Sequence, residues 1–410
     1  MKKIIHISNK DSNIAGTIDL PGSKSESNRA LIIDALSRNC SILDNISTSS
    51  DTKLLQNALF SKENIIDVRD AGTAMRFLTA YYIATNQDKI LTGTKRMLER
   101  PIEPLVKALN KIGGNIEYME KQGFPPIKIN GKLSKLNKNK IQIAADVSSQ
   151  FISAILMIAP ILPRGIELEF TGKIVSSPYI DMTLAIMHHF GANAEYTEKG
   201  ISVRKQEYQP VKYNIESDWS CASYWYLMAA LSTDPAIFLK GLKHQSFQGD
   251  SIIQEWFKPF GIITEFSNTG AFITKTDGSL SSLPEVIDFT DNPDLAQTMI
   301  VLCAVKRLKC KFTGLESLRI KEIDRIQAMQ NELKKFNIHL IEEDKDVFSL
   351  NGTFNNSSAT IETYSDHRMA MAFAPLALLC PEINIINPGC VEKSYLNFWD
   401  DLKTAGFNID

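Results

Sequence analysis

Six times along the chain a polar opening leads into a run that is apolar on every side: GSKSESNRALIIDAL, AGTAMRFLTAYYIA, DVSSQFISAILMIA, DWSCASYWYLMAAL, DNPDLAQTMIVLCAV and SDHRMAMAFAPLALL. Nearly every position of the later runs is apolar, so these segments are predicted to be helices inside a domain rather than on its face. Asp146, Asp218, Asp291 and Asp366 mark four of them, at separations of 72, 73 and 75 residues. A second, amphipathic set keeps the same beat: IEPLVKALNKIGGNIEY, IDMTLAIMHHFGANAEY, IIQEWFKPFGIITEF, RIQAMQNELKKFNIHL and LNFWDDLKTAGFNI. Each passes through Gly113, Gly191, Gly261, Asn337 or Gly406 before a β-prone stretch, which suits a left-handed helix cap. A unit of about seventy residues with one buried helix, one amphipathic helix and short strands fits the chain about six times. Three units per domain give two similar α/β domains. The interval from Gly22 to Gly72 is only 50 residues, which marks the early units as shorter or the first marker as misplaced. A domain border falls near Tyr213–Ser220, and the first strand, in AGTIDLPGS, could belong to either side.

Length and charge narrow the class. A chain of 410 residues, 44% hydrophobic, is too long for one core. A formal net charge of −2 argues against a general nucleic-acid or membrane-surface binder, so any basic site is local. The six cysteines form no CxxC pair, the start has no apolar leader core, and the longest apolar run, FISAILMIAPIL, is too short to span a bilayer. A reduced, soluble, cytoplasmic protein is expected.

Cations gather at the helix mouths, where exposed N–H groups and the helix dipole favour anions. LPGSKSESNRALI brings Lys24, Ser25 and Arg29, with Ser25 and Arg29 on one helix face; a capped helix with solvated charges is the bland alternative. Gly72 in DAGTAMRFL would let a ligand approach the backbone. LTGTKRMLERPIEPL places Lys95, Arg96 and Arg100 in a loop. In DVSSQF, Asp146 is the expected N-cap, leaving Ser148, Ser149 and Gln150 as neutral donors. Lys321 and Arg325 in RIKEIDRIQAM are four apart on one face, repelling unless an anion sits between them or Glu322 and Asp324 neutralise them. Asp294 in PDLAQTM is either a cap or a base; DHRMAM adds Asp366 as the expected N-cap, His367 and Arg368, and VEKSYLNFW adds Lys393. Lys24, Arg29 and Arg96 come from one half, Lys321, Arg325, Arg368 and Lys393 from the other. Such a set suits a cleft between domains for two phosphorylated carboxylic acids carrying roughly −5 to −6 together.

In this order, LPGSKSESNRALI, DAGTAMRFL, LTGTKRMLERPI, DVSSQF, SSPYID, IKEIDR, DHRMAMAFA and VEKSYLNFWDDL resemble the 3-phosphoshikimate 1-carboxyvinyltransferase (5-enolpyruvylshikimate-3-phosphate synthase) family. The resemblance implies the enolpyruvyl transferase fold: α/β, two similar domains, each of three βαβαββ units with pseudo-threefold symmetry and buried helices. The expected domains are 22–216 and 1–21 plus 217–410, with the active site in the cleft between them. The implied reaction moves the enolpyruvyl group of phosphoenolpyruvate to the 5-hydroxyl of shikimate 3-phosphate and releases phosphate, with no metal or organic cofactor.

Position by position, Lys24, Ser25, Arg29, Ser148, Ser149, Gln150, Ser176, Tyr179, Asp294, Ser317 and Lys321 are the implied contacts of shikimate 3-phosphate. Lys24, Gly72, Arg96, Gln150, Arg325, Arg368 and Lys393 are those of phosphoenolpyruvate. Asp294 is the expected base, Glu322 sits near the reacting centre and Lys24 serves as acid and phosphate contact. His367 either orients the phosphate side or only packs. The chain departs from the family at Asp70, where Asn often precedes AGTA, at Phe77, where Pro commonly follows AGTAMR, and at Ser317, where Asn is usual. A UDP-N-acetylglucosamine enolpyruvyl transferase is the nearest rival, but its usual loop Cys is missing from GTKRMLERPI. A non-catalytic polyanion binder would gain nothing from Asp294 and Glu322. Partners are the two small anions, with no nucleic acid or membrane, and the protein is expected to be a monomer.

Overall fold

The six apolar runs form helices at Lys24–Leu36, Gly72–Ala84, Ser149–Ile158, Trp219–Leu231, Ala296–Lys306 and His367–Phe373. They are seen in a computed structural model, which describes residues 3–132, 139–146, 148–278 and 281–410. In Trp219–Leu231, 12 of 13 residues are buried, and all 7 of His367–Phe373 are. Burying each large apolar side chain is worth about 1.5–3 kcal/mol, which outweighs the few tenths by which aromatic residues disfavour a helix. Polar members are satisfied locally: Thr79 Oγ1 donates to the Met75 carbonyl at 2.6 Å, and the Ser223 and Thr298 hydroxyls lie 3.1 Å apart between two core helices.

The chain divides into two compact units, Ser23–Ile215 and Met1–Gly22 with Glu216–Asp410. In the first, helices 24–36, 72–84 and 149–158 pack on one another; in the second, helices 219–231, 296–306 and 367–373 do the same. Each unit has its own hydrophobic core.

Three sheets surround each triplet of helices, and five of the six sheets repeat one topology. Two strands pair in parallel, and the second also pairs antiparallel with the far strand of a hairpin, except in one sheet, where the first and last strands of the chain stand in place of the hairpin. Thus Ile65–Asp67 runs parallel to Lys89–Thr92, which pairs with Ile127–Asn130, whose other edge takes Asn115–Tyr118. Strand Ala15–Ile18 runs parallel to Ala236–Lys240. Strand Ile4–Ser8 joins Ile383–Ile386 and Asn408–Ile409, so both chain ends share one sheet.

The sixth sheet has only Ile42–Asp44 parallel to Lys212–Asn214. Helix Ser50–Phe60 passes straight to strand Ile65–Asp67, with no hairpin between them. This omission explains the 50-residue interval: the first marker was sound and the first unit is short, so five of the six sheets have four strands.

The left-handed caps are where expected, with φ of 100° at Gly113, 84° at Gly191, 78° at Gly261, 59° at Asn337 and 104° at Gly406. Three local expectations need correction. Ser148, not Asp146, caps helix 149–158, its Oγ accepting from Gln150 N at 3.3 Å. Lys95–Leu98 is a short helix rather than a loop, because the Thr94 hydroxyl caps it through Met97 N at 3.4 Å. Lys321 and Arg325 do not share a helix face: Asp324 accepts from Gln327 N at 3.1 Å, so that helix begins at Arg325.

Candidate active site

In the unit Ser23–Ile215, the Ser23 hydroxyl accepts from Glu26 N, making Lys24 the first helical residue. Lys24 Nζ lies 3.7 Å from Asp51 Oδ2, both mostly buried. Ser149 opens the 149–158 helix, and Gln150 Nε2 reaches Thr73 Oγ1 at 3.4 Å, joining that helix mouth to the one at Gly72. Ser176, preceding helix Ser177–His189, holds the left-handed φ of 55°, a conformation costly for serine.

Arg29 is 2% exposed. Its guanidinium donates to Thr183 Oγ1 at 2.7 Å, the Ser25 carbonyl at 2.9 Å, Ser153 Oγ at 3.1 Å and the Tyr179 carbonyl at 3.2 Å. Burial lowers its pKa to about 10, leaving it charged. Arg29 therefore locks Ser25 and Tyr179, two other candidate contacts, into one network. Phe77, fully buried, lies under it with its ring centre 5.4 Å away. Asp70 accepts from the Thr94 hydroxyl, tying the approach to helix 72–84 to the Lys95–Leu98 turn.

Gly72 begins helix 72–84, and a Cβ there would come within 2.8 Å of both terminal nitrogens of Arg100. The space that a ligand was expected to use is lined by a buried guanidinium. Arg76 donates back one turn to the Gly72 carbonyl at 3.1 Å and across to the Pro101 carbonyl at 3.2 Å, pinning this turn to the helix mouth. Arg96, on the same turn, is 36% exposed with Nη1 3.5 Å from Glu99 Oε2.

In the other unit, Arg325 is the centre of the arrangement. Its Nε lies 2.8 Å from Asp366 Oδ2, Nη1 3.3 Å from Asp294 Oδ1 and Nη2 2.9 Å from Glu322 Oε2. Although burial opposes its charge, Asp366, Glu322 and Asp294 together raise its pKa above the usual arginine value. Asp294 Oδ2 also meets Arg368 Nη2 at 2.7 Å, and Glu322 Oε1 meets Lys393 Nζ at 3.4 Å. Arg368 Nη1 reaches the Tyr224 hydroxyl at 3.3 Å and the Asp294 carbonyl at 3.2 Å.

Asp294 is thus no cap; its carboxylate is 20% exposed between two arginines. Asp366 does cap its helix, accepting from Arg368 N at 2.8 Å while holding Arg325 with its other oxygen. Glu322 neutralises Arg325 as anticipated, whereas Asp324 does not, being used as a cap. His367 is 1% exposed, with Nδ1 3.7 Å from Asp366 Oδ1. Ser317 lies in the Glu316–Ile320 turn and Lys321 directly follows it.

Asp250 was missed by sequence reading. It is 4% exposed and accepts hydrogen bonds from two neutral groups, the Ser220 hydroxyl and Asn292 Nδ2, the latter at 3.4 Å. Burial, then repulsion from Asp294, push its pKa up to about 6. Its segment, FQGDS, carries no pattern that separates it from a surface turn. Arg76 did leave a trace, as the cation four residues after a helix-opening glycine. Among the described residues no group of three or more His, Cys, Asp or Glu side chains is arranged to hold a metal ion, and no helix is long and apolar enough to cross a membrane.

Carboxylates interleaved with arginines at buried helix mouths suit proton transfer on anionic substrates. The family model of EPSP synthase (3-phosphoshikimate 1-carboxyvinyltransferase) matches residues 8–61 and 55–402. The chain belongs to the EPSP synthase family. A 3-phosphoshikimate 1-carboxyvinyltransferase of Bacteroides fragilis (strain YCH46) is 48% identical over 401 residues, 97% of each chain. One from Buchnera aphidicola subsp. Baizongia pistaciae is 35% identical, again over 97% of each chain. The solved EPSP synthase of Acinetobacter baumannii, at 20% identity, has the same fold, with a TM-score of 0.75 over 99% of both chains. EPSP synthases are thus similar to this chain from end to end, including the enolpyruvyl transferase architecture of paired α/β units.

Proposed function

We propose that this EPSP synthase family member performs its reaction, phosphoenolpyruvate plus shikimate 3-phosphate giving 5-enolpyruvylshikimate 3-phosphate and phosphate, with the residues assigned above. The reading is carried by Asp294, partly exposed between Arg325 and Arg368 with Glu322 on the same arginine. A carboxylate so placed can take the proton of an acceptor hydroxyl while its neighbours hold the anionic donor.

Arg325, Arg368, Lys393, Arg96, Lys24 and Gln150 bind phosphoenolpyruvate near Gly72, with arginine forks matching carboxylate and phosphate. Ser25, Arg29, Ser148, Ser149, Ser176, Tyr179, Ser317 and Lys321 hold shikimate 3-phosphate, with Arg29 also donating to the Ser25 and Tyr179 carbonyls. Asp294 accepts the 5-hydroxyl proton as its oxygen attacks the central carbon of the donor. Lys24 delivers a proton to the methylene carbon, and Glu322 faces the positive charge that develops between these events. Loss of a proton from the resulting methyl group, with departure of phosphate, restores the double bond on the new ether. Residues 22–216 and 1–21 with 217–410 both contribute residues that bind the two substrates. We place the enzyme in the cytoplasm as a monomer, in keeping with six cysteines that form no disulfide.

Phosphate release is expected only when both substrates are present. Release with a UDP-sugar in place of shikimate 3-phosphate would overturn the assignment. Gly72→Ala is expected to displace the Arg100 guanidinium, raising KM for phosphoenolpyruvate about tenfold and lowering stability by about 1–3 kcal/mol. Steady-state kinetics and thermal melting check the two effects separately.

A further inference from the structure

Asp250 is a buried carboxylate that the mechanism above does not use. A buried charge is costly unless paired, and its hydrogen-bond donors, Ser220 and Asn292, are both neutral. Every element around it bears on its charge. Ser220 comes from the mouth of helix 219–231, where Asp218 caps through Cys221 N. Asn292 and Asp294 come from the approach to helix 296–306, and Arg368 from helix 367–373, with its own bonds to Asp294 and Tyr224. Arg325 reaches this group only through Asp294.

We propose that Asp250 is a positioning residue for the reaction: held beside Asp294 by Ser220 and Asn292, its charge sets how strongly Asp294 draws the acceptor proton. This rests on the reading of Asp294 as the base. Two arginines on Asp294 weaken it as a base; a like charge nearby opposes them. Repulsion between carboxylates is mutual, so the two titrate as a pair. When Asp250 is ionised, a proton arriving on Asp294 relieves the repulsion. When Asp250 is neutral, that assistance is gone and transfer slows.

The test is the pH profile of kcat at saturating substrates. In the wild type, kcat is expected to fall about three- to tenfold between pH 8 and pH 5.5, in a step near pH 6. Asp250→Asn should begin at the lower rate at pH 8 and lack that step, with KM for both substrates within twofold. Substrate phosphates also titrate near pH 6, but identically for both proteins, so the difference between the profiles is the readout. Ser220→Ala removes a hydrogen bond that favours the charged form of Asp250, and should move the step to higher pH. A merely structural role would produce neither the lost step nor the opposite shift. Asp250→Asn with the wild-type rate and step, or Ser220→Ala with the step unmoved or lowered, would overturn the proposal. Asp294→Asn run alongside separates the two readings: if it turns over like the wild type, the base assignment itself fails; if it is inactive while Asp250→Asn keeps the step, only the role of Asp250 fails.

Discussion

Asp294→Asn is expected to lower kcat about 10²–10⁴-fold, the range lost with a general base, while shikimate 3-phosphate still binds. The side chain now offers one oxygen to Arg325 and the other to Arg368, at 3.3 and 2.7 Å. Asparagine can accept from only one, so the shorter contact to Arg368 should survive and the amide nitrogen will face Arg325. The cluster also loses a negative charge. In direct ion pairs Arg325, Arg368 and Lys393 meet Asp294, Glu322 and Asp366, three charges of each sign, and Asp250 adds a further negative charge beside Asp294 when ionised. The variant is one negative charge poorer there, so phosphoenolpyruvate should bind as tightly as before or more so. Turnover and binding thus move in different directions, and calorimetric titration beside phosphate-release kinetics reads both. Parallel loss of binding, turnover and thermal stability would make Asp294 structural.

That balance was the least legible part of the sequence. The cations could be located, because they stand at polar openings of apolar runs, but their partners could not. Arg325 draws on Glu322, three residues away, and on Asp294 and Asp366, 31 and 41 residues away. Only the packing of helix 296–306 against both helix 367–373 and the helix that begins at Arg325 brings those carboxylates together. The same limit hid Asp250, and it hid the network in which Arg29 donates to Thr183, Ser153 and two carbonyls. By contrast, buried helices and left-handed caps were readable, since each depends on local composition or a single residue. The repeat was readable for the same reason, and its one irregularity had a simple physical cause: a hairpin is missing after Phe60, and nothing else in the beat is disturbed.

Arg325→Leu should be the most destabilising single change at the site. It would strip Asp366, which is fully buried, of its cation and leave Glu322 and Asp294 without a shared partner. Breaking a buried ion pair from one side costs about 3–5 kcal/mol, and at about 2–4 °C per kcal/mol for a folding unit of this size the melting midpoint should fall by roughly 6–20 °C. The loss should also acquire a pH dependence of defined sign. A carboxylate buried without its cation has a folded-state pKa above its unfolded value, so the folded state binds more protons and stability rises as pH falls. Melting curves of the variant should therefore recover part of the deficit between pH 8 and pH 5.5, relative to the wild type over the same interval. Arg325→Lys provides the control. A single ammonium retains the charge but cannot span three carboxylates as the planar guanidinium does, so most of the stability should return while KM for phosphoenolpyruvate stays at least about tenfold raised. Equal melting midpoints for Arg325→Leu and the wild type would mean that the three carboxylates do not depend on this arginine, and the charge balance drawn here would have to be abandoned.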